Sequence, residues 1–155
     1  MTDVVTSAVR SRMMAGIRGT NTRPEVWVRH GLHRLGFRYR LHSSRLPGKP
    51  DIVLTRHRVI VLVNGCFWHG HDCHLFRWPG SRKQFWKTKI TRNRCRDQEV
   101  RDQLSAAGWR ILVIWECALK GRERRPLDSV IKDAARWIRK GGSWYEIRGT
   151  SHACN

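Results

Sequence analysis

The sequence predicts an α/β protein, because short β-branched runs alternate with longer segments of helical periodicity. Two runs, 52–55 and 58–64, are separated by a short turn and predict a β-hairpin. A third run, 109–115, predicts another core strand. A chain of 155 residues is expected to form one domain with a sizeable core.

The first helix is predicted to begin at Thr22-Arg-Pro-Glu25 and to end at Gly36. Threonine can cap a helix, proline suits the first turn, and Glu25 completes a capping box. Glu25 either has this capping role alone or also faces an active site, and the local sequence allows both. A short strand is expected at 37–41.

Asp51 stands at the start of the first hairpin strand, where an aspartate can bind a hard cation such as Mg²⁺. An ordinary turn aspartate is the alternative. The hairpin returns the chain so that Val63 and Asn64 lie close to Asp51, and His69 follows soon after. A metal held by Asp51 would therefore lie beside His69, which favours the functional interpretation.

The segment 81–107 predicts a long basic helix that is capped by Ser81 and ended by Gly108. Its buried positions are expected to include Phe85, Val100, Leu104 and Ala107. A charge run is usually a solvated face, but the net charge of +19 favours contact with phosphates. Asn93 could read a base edge, and Asp97 lies one turn further on the same face.

A last helix is predicted from Leu127 to Ile138, packed on the sheet and ended by Gly141-Gly142. The single domain is expected to span residues 21–142, followed by a C-terminal tail at 143–155. Residues 1–20 are expected to form an N-terminal arm. This arm is either a frayed terminus or a segment that is mobile without DNA.

The composition indicates a nucleic-acid partner, because 31 Lys and Arg face only 12 Asp and Glu. No segment reaches the roughly 18 apolar residues of a transmembrane helix, and no lipidation motif occurs, so no membrane partner is expected. The N-terminus lacks the apolar core of a signal peptide. We therefore expect a cytoplasmic protein that is nucleoid-associated when bound to DNA, with reduced cysteines.

The segment 64–74 concentrates two cysteines, three histidines and two aromatics. Its Cys66, His71 and Cys73 have a spacing that suits tetrahedral zinc, and Cys117 is the best candidate for a fourth ligand. Buried free thiols and surface histidines are the alternative, against which the clustered spacing argues. Four protein ligands leave no open position, which predicts a structural zinc site.

Phe67 and Trp68 are adjacent bulky aromatics in this loop, and they either pack under the metal or point outward. Two neighbours on a tight loop cannot easily face one core, so at least one is expected to be exposed. On a basic protein, an exposed aromatic favours base stacking or intercalation.

Together these motifs resemble the very short patch repair (Vsr) endonucleases. The resemblance runs from about Ser11 to Gly121 and rests on Pro50-Asp51, Gly65-Cys-Phe-Trp-His69, His71-x-Cys73 and Trp115-Glu-Cys117. That family nicks one strand of duplex DNA, 5′ to the thymine of a T:G mismatch left by deamination of 5-methylcytosine. The resemblance implies a restriction-endonuclease-like fold with a mixed central sheet flanked by helices. We expect a monomer, because a wedge at one mismatch needs no two-fold symmetry.

The resemblance also implies roles for individual residues. Asp51 and the backbone carbonyl of Val63 would bind catalytic Mg²⁺, and His69 would be the general base. Glu25 and Asp97 would support the site through metal-bound waters and neighbouring hydrogen bonds. The residues implied to wedge or contact the mismatched DNA are Met14, Ile17, Phe67, Trp68, Lys89 and Asn93.

Asn64 departs from the family pattern, because many members have a histidine immediately before Gly-Cys-Phe-Trp. Asparagine can hydrogen-bond a phosphate or water but cannot exchange a proton at neutral pH. The rate or the preferred substrate could therefore differ. Two alternative functions stay open: a non-catalytic zinc-containing DNA-binding protein, and a restriction-type nuclease that cuts both strands of matched DNA.

Overall fold

The structure is a computed structural model that describes residues 20–150. Within that range there are three α-helices: α1 (Arg23–Arg34), α2 (Lys83–Ala106) and α3 (Leu127–Lys140). Five strands accompany them: β1 (Arg40–Leu41), β2 (Ile52–Leu54), β3 (Val59–Asn64), β4 (Arg110–Trp115) and β5 (Trp144–Ile147). Short 3₁₀ turns follow β2 and β4, at Thr55–His57 and Glu116–Ala118.

The strands form one mixed sheet in the order β1-β2-β3-β4-β5. β1, β2 and β3 are antiparallel neighbours, which confirms the predicted hairpin, whereas β3, β4 and β5 run parallel. In the β3–β4 register, Asn64 pairs with Trp115. The two central strands therefore end side by side. The loop that carries three of the predicted zinc ligands (residues 65–74, named the zinc loop after that prediction) and Cys117 both leave the sheet from that edge.

Helices cover both faces of the sheet. α1 and α3 pack on one face, where Leu32 and Val130 join a core that includes Val61 and Leu112. α2 covers the opposite face through Leu104, which packs in a second cluster with Ile60, Ile111, Val113 and Trp115. Because strand residues alternate between faces, Asn64 lies on the α2 face with Ile60. The predicted α/β architecture, a mixed sheet flanked by helices, is confirmed.

α1 begins as predicted, since Thr22 Oγ1 accepts a hydrogen bond from the Glu25 N–H at 3.3 Å. The reciprocal bond differs from a standard capping box: the Glu25 carboxylate accepts from the N–H of Asn21, at 3.0 Å. Gly31 lets α1 approach α3 closely, because a Cβ there would lie 2.6 Å from Ile131 Cγ1.

The start of α2 corrects the sequence prediction. Arg82, in a left-handed conformation, occupies the N-cap position in place of Ser81 and makes no side-chain capping bond. The buried residues of the helix are Trp86, Ile90 and Leu104. Phe85 and Ala107 are exposed and Val100 is half-buried, because the buried stripe of α2 begins at Trp86, next to the predicted Phe85.

Two strands at the sheet margins also differ from the predictions. β1 has two residues, fewer than the predicted segment 37–41. Residues 144–147, which were expected to belong to a tail, form β5 and pair with β4. Ile147 alone among them is buried, so the sequence of this edge strand carries little apolar signal. In the described part of the chain, no helix combines the length and apolarity needed to cross a membrane.

Candidate active site and metal centre

A groove of about 690 Å³ lies on the α2 face of the sheet, beside the ends of β3 and β4. It brings together predicted site residues from several elements: Asp51, Val63, Asn64, His69, Asn93 and Asp97. Basic side chains also line it, including Lys49, Arg94, Arg96 and Arg101. The groove therefore combines acid, base and amide groups with a rim suited to an anionic ligand.

Asp51 reaches the end of β3 from the turn before β2. Its Oδ2 accepts a hydrogen bond from the Val63 N–H at 2.9 Å. β2 and β3 pair only as far as Ile52 and Val61, so Val63 lies beyond their ladder. In an extended strand the N–H and C=O of one residue point to the same side, which directs the Val63 carbonyl towards Asp51 as well. A carboxylate beside a carbonyl is an oxygen pair that fits Mg²⁺.

The Asp51 carboxyl is only partly exposed, and burial raises its pKa to about 6. The Val63 hydrogen bond lowers that pKa, while the negative field of Glu25 raises it. The surrounding groups therefore do not fully compensate the negative charge of the ionised carboxylate. A cation bound to Asp51 would supply the missing positive charge.

His69 and Asp97 form a closely paired dyad that also lines the groove. His69 Nδ1 lies 2.5 Å from Asp97 Oδ2, and both side chains are about one-quarter exposed. A neutral imidazole that donates Nδ1–H to a carboxylate presents an unprotonated Nε2. This arrangement can take a proton from a water molecule held in the groove.

The metal centre predicted from the loop motif is assembled: the ligand atoms of Cys66, His71, Cys73 and Cys117 all lie within 4.8 Å of one another. His71 Nδ1 is 3.6 Å from both Cys66 Sγ and Cys117 Sγ. Bonds of about 2.3 Å to sulfur and about 2.0 Å to nitrogen at a tetrahedral angle separate the two atoms by about 3.5 Å, close to these distances. The four residues therefore fit a tetrahedral metal ion.

Backbone donors favour charged sulfur at this centre. The N–H groups of Cys117 and Gly149 point at Cys66 Sγ and Cys117 Sγ, at 3.3 and 3.4 Å. A hydrogen bond from the Cys66 thiol lowers the pKa of Cys117 to about 4 and raises the pKa of Cys66 above its usual range. A bound cation would displace the remaining thiol protons, since metals bind cysteine as thiolate.

The zinc loop is fixed to its surroundings on three sides. Asn93 on α2 donates from Nδ2 to the Trp68 carbonyl at 2.9 Å. Gly70, at a φ of +60°, packs so tightly on α2 that a Cβ would lie 2.8 Å from Ile90 Cγ2. Arg148, just beyond β5, forms an ion pair with Asp72 at 3.1 Å. The loop is therefore held by α2 and by the β5 end as well as by its metal ligands.

Phe67 and Trp68 belong to an aromatic cluster rather than standing alone. The ring of Phe67 lies 5.2 Å from Trp68 and 5.3 Å from Trp86, and Phe76 is 6.1 Å away. Both loop aromatics are half-buried, so the expectation that at least one is exposed is wrong. Trp86, which reaches the cluster from α2, was missed because helical spacing gave it no distinct signal.

The predicted DNA-contacting residues are only partly within the described chain. Lys89, Asn93 and Asp97 follow at intervals of four residues on α2 and share one side of the helix. Lys89 is exposed, whereas Asn93 is half-buried by its bond to the zinc loop. Met14 and Ile17 lie outside the described residues.

Glu25 and His42 adjoin Asp51 behind the groove wall. Glu25 is 2% exposed, and His42 Nε2 lies 2.5 Å from Glu25 Oε1. The His42 N–H donates to the Asp51 carbonyl at 3.2 Å. No motif in the sequence indicates His42 as a site residue, because only the pairing of β1 with β2 brings it opposite Asp51.

Comparisons with known proteins agree with this arrangement. A family model described as DNA mismatch endonuclease Vsr matches residues 2–75. A type II nicking enzyme of Xanthomonas oryzae, V.XorIIP, is 46% identical over 134 residues, which cover 83% of this chain and 98% of the relative. A second one, V.NmeAIP of Neisseria meningitidis, is 42% identical over 86% of this chain and 96% of its own length.

The protein of Escherichia coli named DNA mismatch endonuclease Vsr is 37% identical over 147 residues, which cover 95% of this chain and 94% of the relative. With that identity along nearly the whole length of its relatives, the chain belongs to the Vsr family of DNA mismatch endonucleases.

Proposed function

We propose that the protein is a Mg²⁺-dependent endonuclease that nicks one strand of duplex DNA, 5′ to the thymine of T:G mismatches left by deaminated 5-methylcytosine. The observation that carries the proposal is the meeting of Asp51 and the His69–Asp97 dyad in one basic groove. The loop that delivers His69 also carries the aromatic pair. The proposed general base and the candidate DNA wedge therefore lie on the same loop. The membership of the chain in this family also supports the proposal.

The acid-base work in this proposal belongs to His69. Its Nε2 accepts a proton from a water molecule while the water oxygen attacks the phosphorus. The phosphorus–oxygen bond to the leaving strand end breaks, and the leaving oxygen takes up a proton from solvent. Asp97 holds the imidazole through Nδ1 and stabilises the imidazolium that forms, through the 2.5 Å contact.

Asp51 and the Val63 carbonyl would hold Mg²⁺, which when bound supplies positive charge to the developing phosphorane. Glu25 adds negative charge behind Asp51 and supports the site without lining the groove. Asn64, at the end of β3, faces the groove and can hydrogen-bond a phosphate oxygen or water. It contributes no proton, so His69 is the single proton acceptor of this scheme.

Mismatch preference is assigned to the aromatic cluster and to α2. A T:G wobble pair is held less firmly than a matched pair, so inserting Phe67 and Trp68 costs less there. Lys89 would contact the mismatched pair, and Asn93 would do so through the polar atoms not engaged by Trp68. Met14 and Ile17 would complete the wedge from the other groove.

The proposal includes a structural zinc ion, a restriction-endonuclease-like fold and a monomeric protein. Three cysteines and one histidine would fill all four positions of a tetrahedral ion and leave none for substrate, which supports a structural role for the ion. The mixed sheet with helices on both faces is consistent with that fold. One chain places Asp51, Asn64, His69 and Asp97 in the same groove, which supports the monomer.

A strand-resolved nicking assay tests the proposal. Duplexes that differ only at one pair, T:G, T:A or C:G, are labelled on each strand and incubated with Mg²⁺ or with EDTA, over a panel of flanking sequences. We expect a single cut, 5′ to the thymine of the T:G duplex, that requires Mg²⁺. His69→Ala should abolish the cut, and His30→Ala, at an exposed position on α1, should not.

The other outcomes identify the alternatives. Tight binding of T:G duplex without any cut would indicate a non-catalytic zinc-containing DNA-binding protein. Cuts in both strands of matched duplex would indicate a restriction-type nuclease. Equal nicking of T:G and T:A duplexes would refute mismatch specificity.

A further inference from the structure

A cluster of three chemically different metal-binding groups lies directly behind the proposed Mg²⁺ position. One ligand atom from each of Glu25, His42 and Asp51 falls within 4.8 Å of the others. They come from the first turn of α1, from the residue after β1 and from the residue before β2. Asp51 also lines the groove, so the cluster and the groove share one carboxylate.

The backbone fixes His42 in this cluster. β1 pairs with β2 through Leu41 and Ile52, and the next step of the ladder is the bond from the His42 N–H to the Asp51 carbonyl. His42 has a φ of +46°, in the left-handed region that few residues other than glycine adopt. Such a conformation costs about 1 kcal/mol or more and is typical of positions where the direction of a side chain matters.

The contacts of Glu25 leave one oxygen facing His42. Its Oε2 accepts from the Asn21 N–H, and its Oε1 lies 2.5 Å from His42 Nε2. Arg29 Nη1 is 3.5 Å from the same Oε1 but makes its shorter bond, 2.7 Å, to Asn21 Oδ1. A buried carboxylate and an imidazole nitrogen thus share one short hydrogen bond beside a second carboxylate, and a divalent cation bound here would take the place of the shared proton.

The chemistry of this donor set differs from that of an all-oxygen Mg²⁺ site. Mg²⁺ is held by carboxylates, carbonyls and waters, whereas imidazole favours first-row transition metals. We propose that His42 is a metal ligand that, with Glu25 and Asp51, forms a mixed nitrogen–oxygen site preferring a first-row transition-metal divalent cation to Mg²⁺. This inference rests on the proposed function only in placing the site next to the reaction.

The proposal predicts direct coordination, which electron paramagnetic resonance can detect. Mn²⁺ is a stringent probe, since it binds most weakly of the first-row divalent series. The zinc-loaded chain is titrated with Mn²⁺ at mildly alkaline pH, where the ligands are deprotonated. We expect one bound Mn²⁺ whose electron spin echo shows modulation from a directly bound ¹⁴N nucleus.

His42→Gln is the matched variant, because the glutamine amide can still donate to Glu25. We expect it to lose the ¹⁴N modulation and to weaken Mn²⁺ binding about tenfold or more. Mg²⁺ affinity, measured by displacement of Mn²⁺, should change less. His30→Gln, exposed on α1, should retain the wild-type spectrum and affinity.

Retention of the ¹⁴N modulation in His42→Gln would overturn the inference, as would equal losses of Mn²⁺ and Mg²⁺ affinity. Either result would indicate that His42 positions Glu25 and does not bind the metal itself. The proposed function is tested separately by wild-type nicking of T:G duplex in Mg²⁺. A chain that binds Mn²⁺ through His42 but does not nick would refute the function and keep the site.

Discussion

At the residue scale, the carboxyl of Asp51 lies in a largely buried environment that disfavours its ionised form when no cation is bound. Burial raises its pKa from 3.8 to about 6. Because the folded-state pKa lies above the unfolded value, the carboxyl's contribution to stability is present below about pH 4 and is lost as the pH rises through about 6. At neutral pH the group that is proposed to bind Mg²⁺ therefore destabilises the magnesium-free fold.

Asp51→Asn should separate stability from activity. The amide keeps an oxygen for the Val63 N–H and removes the buried charge, so the free energy of unfolding at neutral pH should rise by about 1–3 kcal/mol without Mg²⁺. Urea unfolding of the zinc-loaded protein at several pH values measures this, and the gain should vanish near pH 4. Nicking should be abolished while mismatch binding is largely retained.

Asp128→Asn is the control, because Asp128 is 78% exposed and the loss of its surface ion pair with Lys132 should lower the free energy of unfolding by at most about 1 kcal/mol. An Asp51→Asn protein that nicks at the wild-type rate would show that the catalytic metal is held elsewhere. A protein less stable than wild type at neutral pH would contradict the burial argument.

Asn64 gives a second prediction at this scale. With one proton acceptor, the logarithm of the nicking rate at saturating Mg²⁺ should rise with pH at a slope near one and then level off. Asn64→His would restore a second proton carrier and add a falling limb if that carrier must be protonated. Single-turnover rates on a T:G duplex measure both profiles, with Asn64→Gln as the non-titrating control. A bell-shaped wild-type profile would exclude His69 as the single acid-base group.

At the element scale, a metal bound by the four ligands would connect the loop after β3 to the end of β4. Three ligands come before α2 in the sequence, and Cys117 comes after it. Cys117→Ser should lower the zinc content from one ion per chain and destabilise the fold, because three remaining ligands leave the site open. Atomic emission spectroscopy of the purified protein measures the metal. Cys95→Ser, at an exposed position on α2, should keep its zinc. Unchanged zinc in Cys117→Ser would remove that residue from the site.

The aromatic cluster connects this loop to α2 through Trp68 and Trp86, whose ring centroids are 6.0 Å apart. Trp68→Ala should weaken binding of T:G duplex by about 1–3 kcal/mol and reduce the preference for T:G over T:A. Fluorescence anisotropy with both duplexes measures the two effects. Trp27→Ala, on the surface of α1, is the control. An unaltered preference in Trp68→Ala would refute its role as a wedge.

These elements also show what a sequence can reveal. β3 and β4 are central strands buried on both faces, so their continuous apolar runs were recognisable, and the metal ligands were recognisable from their dense spacing. β5 was not recognisable, because an edge strand with one buried residue has no continuous apolar run. His42 was missed because its partners, Glu25 and Asp51, are brought to it only by strand pairing. Asn93 was assigned to DNA without its bond to the zinc loop, which depends on how α2 packs.

At the scale of the whole molecule, the net charge of +19 makes DNA affinity strongly dependent on salt. If the chain neutralises about 6–10 phosphates, its affinity should fall by about 10³–10⁵ between about 50 and 200 mM salt. Anisotropy titrations over this range measure the slope for T:G and T:A duplexes. The slopes should be equal, because phosphate contacts are the same in both. A steeper slope for T:G alone would indicate that additional phosphate contacts, and not stacking, distinguish the mismatch.

The position of Cys117 after α2 and β4 also bears on how the protein is made. A chain still leaving the ribosome presents Asp51 and His69 early, but the metal centre lacks a ligand until Cys117 emerges. The Gly149 N–H that bonds Cys117 Sγ arrives later still, after β5. The groove, whose lining extends to Glu146, is therefore completed only when nearly the entire domain has been synthesised. A product of premature termination would carry Asp51 and His69 without the metal ligand and the last strands that complete the sheet beside them.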